Sequence, residues 1–596
     1  MESSNFLEQA KGTRIMRATS LACFLIMISV PVLGVEPVKL LAHWPLVSDA
    51  KDAVGDLHAT ASRIEFASLG RPAARFNGIN SVITIPDHQS LHLSNRDFSL
   101  TMWLKCLTPM SNTLGDLISK YDPDRRCGWN LHISGSAPGY DGMSDTRHVH
   151  FGIDDGYLSE WEDHGKPSPT NSHIPCLIVF NGELYCSIAD AEKTEDKTRV
   201  FRFAGGKEWV DCGRVGHDPL QYSVVAMCVN RGKLFAMTSM WDWEQARGQT
   251  EGLPRATPSR VYVYEGGTTW RDLGSLGETV RAGHMASYNG DLYVSSNRVG
   301  DRKVFKYDGH VFKLDGEKWI DCGRPKPLDA AGCLVALNDK LYCASVFNIY
   351  EYLGGQNWKC IGEQPHGIEQ IHSMTILDGK LHIGTWPQGY VLRYAGGKDW
   401  EITGRLGLPV GMRECNEVNS LIAYNGKVYA GVIPKAEVYR REKDENWTML
   451  GQLARRPDWQ VNDYPTWMRV LCLTSFQGRM FACTGSCKGR ALDAKADDSL
   501  GRIYSIQAGQ VVSHEKDIGG QWNHLAAVRH GRELKLYING QLAATSFPLR
   551  AGPAFDLTNN SPMRIGMGAQ NYFTGYIADV RLYDGALSSE AIALEN

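Results

Sequence analysis

Phe203-Ala204-Gly205-Gly206-Lys207-Glu208-Trp209 is the first of six stretches in which a tight, mostly Gly-rich turn runs into a tryptophan; its equivalents end at Trp270, Trp319, Trp358, Trp400 and Trp447. The tryptophans are spaced by 61, 49, 39, 42 and 47 residues. Upstream of each lies a second turn leading into a Leu-Tyr-like pair, as in Asn181-Gly182-Glu183-Leu184-Tyr185. Asn-Gly between alternating apolar residues marks a two-residue hairpin, because both turn positions need positive φ. Four short strands per unit at this period predict a radial array of blades, a β-propeller. The hairpin turns lie at Asn181-Gly182, Arg231-Gly232, Asn289-Gly290, Asn338-Asp339, Asp378-Gly379, Asn425-Gly426 and Gln477-Gly478, which gives seven units. The seventh keeps Arg502-Ile503-Tyr504 but has no tryptophan after it, so it reads as a degraded closing blade. Six blades plus a stray hairpin is the competing count.

The chain has 596 residues, too many for one core. Its 63 basic and 66 acidic residues nearly balance, and no basic run suggests nucleic acid. Lys11, Arg14 and Arg17 precede an apolar run from Leu21 to Leu33, so residues 1–34 read as an export signal. No later segment reaches the length of a membrane span. The expected location is therefore secreted or exported: extracellular, periplasmic or cell surface. Signal removal leaves 14 cysteines, yet their placement argues against a disulfide framework. Cys176 and Cys186 flank a two-residue turn and point to opposite faces of the blade, as do Cys333 and Cys343. Only Cys472 and Cys483 fall opposite each other across their turn, and most of the thiols read as small core residues.

Two flanking segments make sense only together. The first, 38–156, contains Arg75-Phe76-Asn77-Gly78-Ile79-Asn80-Ser81-Val82-Ile83-Thr84-Ile85-Pro86 and Phe98-Ser99-Leu100-Thr101-Met102-Trp103-Leu104-Lys105. The last, 514–596, contains Trp522-Asn523-His524-Leu525, Leu536-Tyr537-Ile538-Asn539-Gly540-Gln541 and Gly575-Tyr576-Ile577-Ala578-Asp579-Val580-Arg581-Leu582-Tyr583. These strings resemble, in order, the laminin-G-like, concanavalin-A-like jelly roll. Neither flank alone has enough strands for a two-sheet sandwich. The expected fold class is therefore all-β: a discontinuous jelly-roll sandwich with a β-propeller inserted over 165–512. The resemblance implies lectin-like sugar binding and a calcium ion, with Asp579 matching an acidic position of the closing motif. The Gly-Gly-x-x-Trp turns also resemble kelch-type repeats and the sialidase hairpin, though the Ser-x-Asp lead-in of sialidases is missing.

Strand parity locates a candidate site. The Asn-Gly turn joins strands one and two and the Gly-Gly turn joins three and four, so both lie on one rim. The variable loops, including Trp241 and Trp243, must lie on the other. Counting back eight residues from each turn marks where the innermost strands enter from that variable rim: His173, Ser223, Arg281, Ala330, Gln370, Glu417 and Arg469. Tyr222, His284, His372, Arg413, Glu414 and Asn419 stand nearby. Arginine and histidine at a channel mouth suit an anionic or sugar ligand, whereas the repeated tryptophans read as packing between blades. There is no phosphate loop followed by Lys-Ser/Thr, no His-Glu-x-x-His and no Gly-x-Ser-x-Gly. Three functions remain open: an exported glycan-binding or cell-surface protein with carbohydrate, including acidic polysaccharide, as partner; a polysaccharide lyase or hydrolase working at the propeller mouth; and a structural docking module.

Overall fold

All seven hairpin turns adopt positive φ at both central positions, from Asn181 (51°) and Gly182 (80°) to Gln477 (48°) and Gly478 (71°). This geometry matches the right-handed twist of the flanking strands. The computed structural model describes residues 38–107, 115–135, 143–189, 197–239, 257–299, 306–346, 348–363, 367–407, 416–454, 468–485, 499–547 and 554–595. The expected signal segment lies outside these residues, as do Trp241, Trp243, Arg413 and Glu414. Each turn opens an antiparallel blade, the first being Leu177–Phe180, Glu183–Ser187, Arg199–Gly205 and Glu208–Arg214. Seven blades follow one another, so the protein contains a seven-bladed propeller.

The seventh blade corrects the expectation of a degraded unit without its tryptophan. Arg469–Phe476, Arg479–Gly485 and Ile503–Ile506 supply three strands, and the fourth is Glu162–Asp163, from before the first blade. Glu160-Trp161-Glu162-Asp163-His164-Gly165 repeats the pattern of Glu208-Trp209-Val210-Asp211-Cys212-Gly213, so Trp161 is the missing seventh tryptophan. These residues tie the blades into a ring. Each indole N–H donates to a backbone carbonyl of the neighbouring blade: Trp161 to Leu450 (3.2 Å), Trp209 to His164 (2.9 Å), Trp270 to Cys212 (2.9 Å), Trp319 to Leu273 (3.0 Å), Trp358 to Cys322 (2.8 Å) and Trp447 to Thr403 (2.7 Å). Trp400 packs in the same place, but its buried N–H has no acceptor. Cys186 packs between the seventh and first blades and Cys176 between the first and second, on opposite faces of one sheet. No disulfide joins any of the twelve described cysteines, and only Cys360 is exposed.

Both sheets of the sandwich draw strands from both ends of the chain. In one, Thr574–Asp584 pairs with Pro72–Asn77 and Phe98–Cys106, and Trp522–His530 takes the other edge of Phe98–Cys106. In the other, Met563–Ile565 lies between Val82–Ile85 and Asp116–Asp122, and Ala508–His514 pairs with His148–Leu158. Inward residues such as Trp44, Phe76, Phe98, Leu100, Trp129, Phe151, Leu525 and Leu582 form the core between the sheets. The return from the propeller thus falls at Gln507, a few residues before the boundary drawn from the motifs.

The rim of regular turns docks on this sandwich. Arg231 N donates to Asp145 (2.8 Å), Ser287 N to the Met143 carbonyl (2.7 Å), Gly379 N to Asn571 (2.7 Å) and Gln477 N to Glu515. Asn425 donates to the Ala508 carbonyl (2.8 Å) and accepts from Asn130 (2.9 Å). A Cβ at Gly426 would stand 2.6 Å from the Tyr121 ring, so this approach requires glycine. Beside Asn130 on the same sheet, His132 and His150 stack at 4.8 Å, and His150 is held between Ser134 and Ser513 at 2.8 Å each.

Two outcomes are expected. Trp270→Phe deletes a bonded N–H and should lose about 1 kcal/mol in denaturant titration, whereas Trp400→Phe removes an unsatisfied one and should be neutral or stabilising. Trp161→Ala, which opens the ring, should cost about 3–5 kcal/mol. Equal losses at Trp270 and Trp400 would refute the ring account.

The second outcome concerns pH. Burial holds His148, His150, His173, His284 and His382 down to about 3 and His132 well below its usual value. Between pH 6.5 and 3 the unfolded chain binds these protons and the folded chain does not, so stability falls as pH falls. Burial has the reverse effect on Asp154, Asp116 and Glu515, raised to about 6, 7 and 8, whose contribution is lost as pH rises through those values. The histidines outnumber the acids. The melting midpoint by circular dichroism should therefore peak at about pH 6–7 and fall steeply toward about pH 4; a maximum on the acid side would overturn this.

Candidate functional site

The innermost strands are not regular, and their irregularity builds the mouth of the channel. In the fifth blade the pairing jumps from Ile371/Thr385 to Ser373/Gly384, leaving His372 as the extra residue of a bulge. The sixth blade repeats this at Asn419, the second at Val225 and the seventh at Leu471. In the third blade the jump spans Gly283 and His284. A bulge re-aims the side chain of its extra residue. His284, His372 and Val225 all line one cavity of about 130 Å³ on the axis. Serines on the first or second strands bond several blades to the inner strand of the next: Ser187 donates to the Val224 carbonyl (2.9 Å), Ser295 to Gly332 (2.6 Å) and Ser373 to Val418 (3.1 Å).

His173, Ser223, Arg281, Ala330, Gln370 and Arg469, placed by counting back from the turns, line this cavity together with His284 and His372. Glu417 sits just behind it, 3.0 Å from His372 Nδ1, and also accepts from Asn419. The other ring nitrogen of His372 is 2.7 Å from Gln370 Oε1. Tyr222 falls outside the lining, with Lys197 stacked 4.1 Å from its ring centre. The count missed Arg298, Asn297 and Tyr307. Arg298 is the cross-strand partner of Arg281, and its guanidinium donates to Tyr307 Oη (2.7 Å) and stacks on that ring. Counting eight residues forward from the Asn289-Gly290 turn would have reached it.

The mouth is electropositive. Burial first, and then the neighbouring Arg281 charge, lower Arg298 to about 10. Burial, then His372 and Arg281, hold His284 at about 3; burial and Arg469 do the same for His173. Burial also lowers His372, against the pull of Glu417. Two arginines and no carboxylate appear in the lining among the described residues. The arrangement can neutralise an anion with guanidinium groups while three histidines stay uncharged.

In the sandwich, Asp579 accepts from His43 (2.6 Å) and from Arg581 (3.0 and 3.1 Å). Both carboxylate oxygens of Asp579 are thereby engaged within the sandwich.

Residues 464–593 match the laminin-G-type family model described as the concanavalin A-like lectin/glucanases superfamily. The match begins just before the seventh blade and runs through the C-terminal part of the sandwich. No curated protein matches the chain in sequence. Among solved structures, it is similar to a catalytically inactive virginiamycin B lyase from Staphylococcus aureus with quinupristin (8% identity, 59% of this chain and 99% of that one, TM-score 0.41). It is also similar to the extracellular domain of a putative hybrid two-component system from B. thetaiotaomicron (12%, 66% and 47%, TM-score 0.40). A third similarity is to Trypanosoma rangeli sialidase with the inhibitor DANA (12%, 74% and 94%, TM-score 0.29). Likeness at this level carries no residue correspondence. No helix among the described residues is long and apolar enough to cross a membrane.

Proposed function

We propose that this is an exported glycan-binding protein whose propeller mouth takes an acidic substituent, a carboxylate or sulfate, of a larger saccharide. The lectin-type match supports a carbohydrate ligand. The convergence of Arg281 and Arg469 on one small cavity, with Arg298 behind it, carries the choice of an anion. Ligand pockets run to roughly 300–1,000 Å³, so a cavity of about 130 Å³ accepts one charged group rather than a whole oligosaccharide. Arginine holds such a group through two parallel hydrogen bonds.

Binding of uronate-rich and sulfated polysaccharides, measured by glycan array and then calorimetry, tests this reading. Arg281→Ala should weaken an acidic glycan by about ten- to a hundredfold, the worth of a charged hydrogen bond at about 1.5–3 kcal/mol. Because the histidines are held neutral, affinity should stay level from about pH 6 to 9. Affinity that climbs on acidification through this range, or survives Arg281→Ala, would move the site elsewhere.

His372 backed by Glu417 supports a second reading, a polysaccharide lyase. Abstraction of the proton beside a uronate carboxylate needs a neutral base and a cation to hold the developing charge. Uronate polymers would then gain ultraviolet-absorbing unsaturated ends, and His372→Ala should abolish them while binding persists. Absence of product across a broad panel would sink the lyase reading and leave binding intact.

A further inference from the structure

The seam between propeller and sandwich holds a second, larger cavity, of about 470 Å³. The fifth and sixth blades form one wall, through Lys380, Arg393, Lys427 and Arg441; Ser119, Tyr121 and Arg564 of the sandwich form the other. Six cations and four carboxylates line it, and two of the carboxylates are already committed. Glu442 is taken by Lys427, 3.6 Å away, and by Arg440 at 2.7 Å. Asp444 is shared between Arg393 (3.3 Å) and Arg441. Asp378 alone faces Lys380, Arg564, Arg393 and Arg441. Two further observations report the sign of the field. Burial and then the charges of Arg441, Arg393 and Lys380 press the buried His382 down to about 3. Arg441 Nε is buried with no acceptor, although a guanidinium N–H out of water normally finds one.

We propose that this cleft binds a multiply charged oxyanion, a sulfate or phosphate group, clamped between the two domains. The excess of cations excludes a metal ion. The donors come from five strands, two in each blade and one in the sandwich, so they surround a tetrahedral group of several oxygens better than a planar carboxylate, which one arginine fork satisfies. Cavity size admits a group carried on a sugar as well as the free ion. The site is separate from the channel mouth, so its failure leaves the reading of the mouth unaffected.

Thermal melting of the full chain in inorganic sulfate or phosphate, against chloride at matched ionic strength, is the test. A saturable rise of several degrees is expected, because a ligand bridging both walls stabilises the folded state by mass action. Arg564→Ala and the surface variant Lys380→Ala should each weaken the apparent affinity about tenfold, while Lys51→Ala, at an exposed lysine that lines neither cavity, leaves it unchanged. A sulfated oligosaccharide acting at lower concentration than inorganic sulfate would assign the group to a glycan; equal potency would assign it to the free ion. An equal rise in chloride, or a rise untouched by both cleft variants, overturns the proposal.

Discussion

One two-stranded ribbon closes both domains. On the sandwich side Leu158 pairs with Ala508; on the propeller side Glu162 pairs with Ser505. Between them the crossing strands bond each other, Ser159 N to the Gln507 carbonyl (2.8 Å) and Gln507 N to Ser159 Oγ (2.9 Å). The outgoing chain leaves Trp161 and a two-residue strand on the last blade as it passes, and the returning chain completes the sandwich sheet. Closing the ring and joining the halves of the sandwich are therefore a single event, in which contacts separated by about 340 residues form together. Such long-range pairing carries a loop-closure cost that local contacts do not. The indole bonds around the ring offset it cooperatively, since each fixes the angle of the next blade.

That shared closure decides which rim can act. The regular turns are pinned against the sandwich by Asp145, Asn571, Asn130 and Glu515, and Gly426 leaves no space there for a side chain. The opposite rim carries the bulged strands and the mouth. A bulge weakens a strand by leaving one residue outside the ladder. The propeller tolerates several because the serine bonds from blade to blade hold the inner strands in place. The irregularity is thus confined to the rim where side chains must be re-aimed.

The legible parts of this architecture were those written in local turn chemistry. Asn-Gly and Gly-Gly pairs report φ directly, so the seven units and the parity of the rims followed from the sequence. Trp161 was missed because its strand lies before the first turn and pairs with residues near 505; a pattern read unit by unit cannot place a strand donated from the far end. Arg298 and Tyr307 were missed for a different reason. Counting back from the turns samples the first strand only, and the mouth is lined by the end of the second strand as well. The bulges escaped because no residue type marks where the extra residue sits, and the break in alternation it causes is lost in strands buried on both faces. The eight-residue count still reached His173, Arg281 and Arg469 because the bulged residue lies inside the counted span in most blades. The channel-facing ends therefore shift together.

The choice of neutral histidines among arginines has a physical logic. A cluster of buried cations repels itself, and each further charge raises the cost of desolvating the rest. Arg281 and Arg298 already face each other across one strand pair, and Arg298 is lowered by burial first and by that neighbour second. Filling the remaining positions with lysine would add repulsion; apolar residues there would leave a ligand's other oxygens without donors. An imidazole kept uncharged by burial offers one donor and one acceptor at no electrostatic cost. At His372 burial keeps the ring neutral against the pull of Glu417, which takes one ring nitrogen while Gln370 stands at the other. Under the proposed reading, recognition of an anion at such a mouth rests on the charge of the arginines and on hydrogen bonds from groups that carry none, and the same residue types are those that proton abstraction would need.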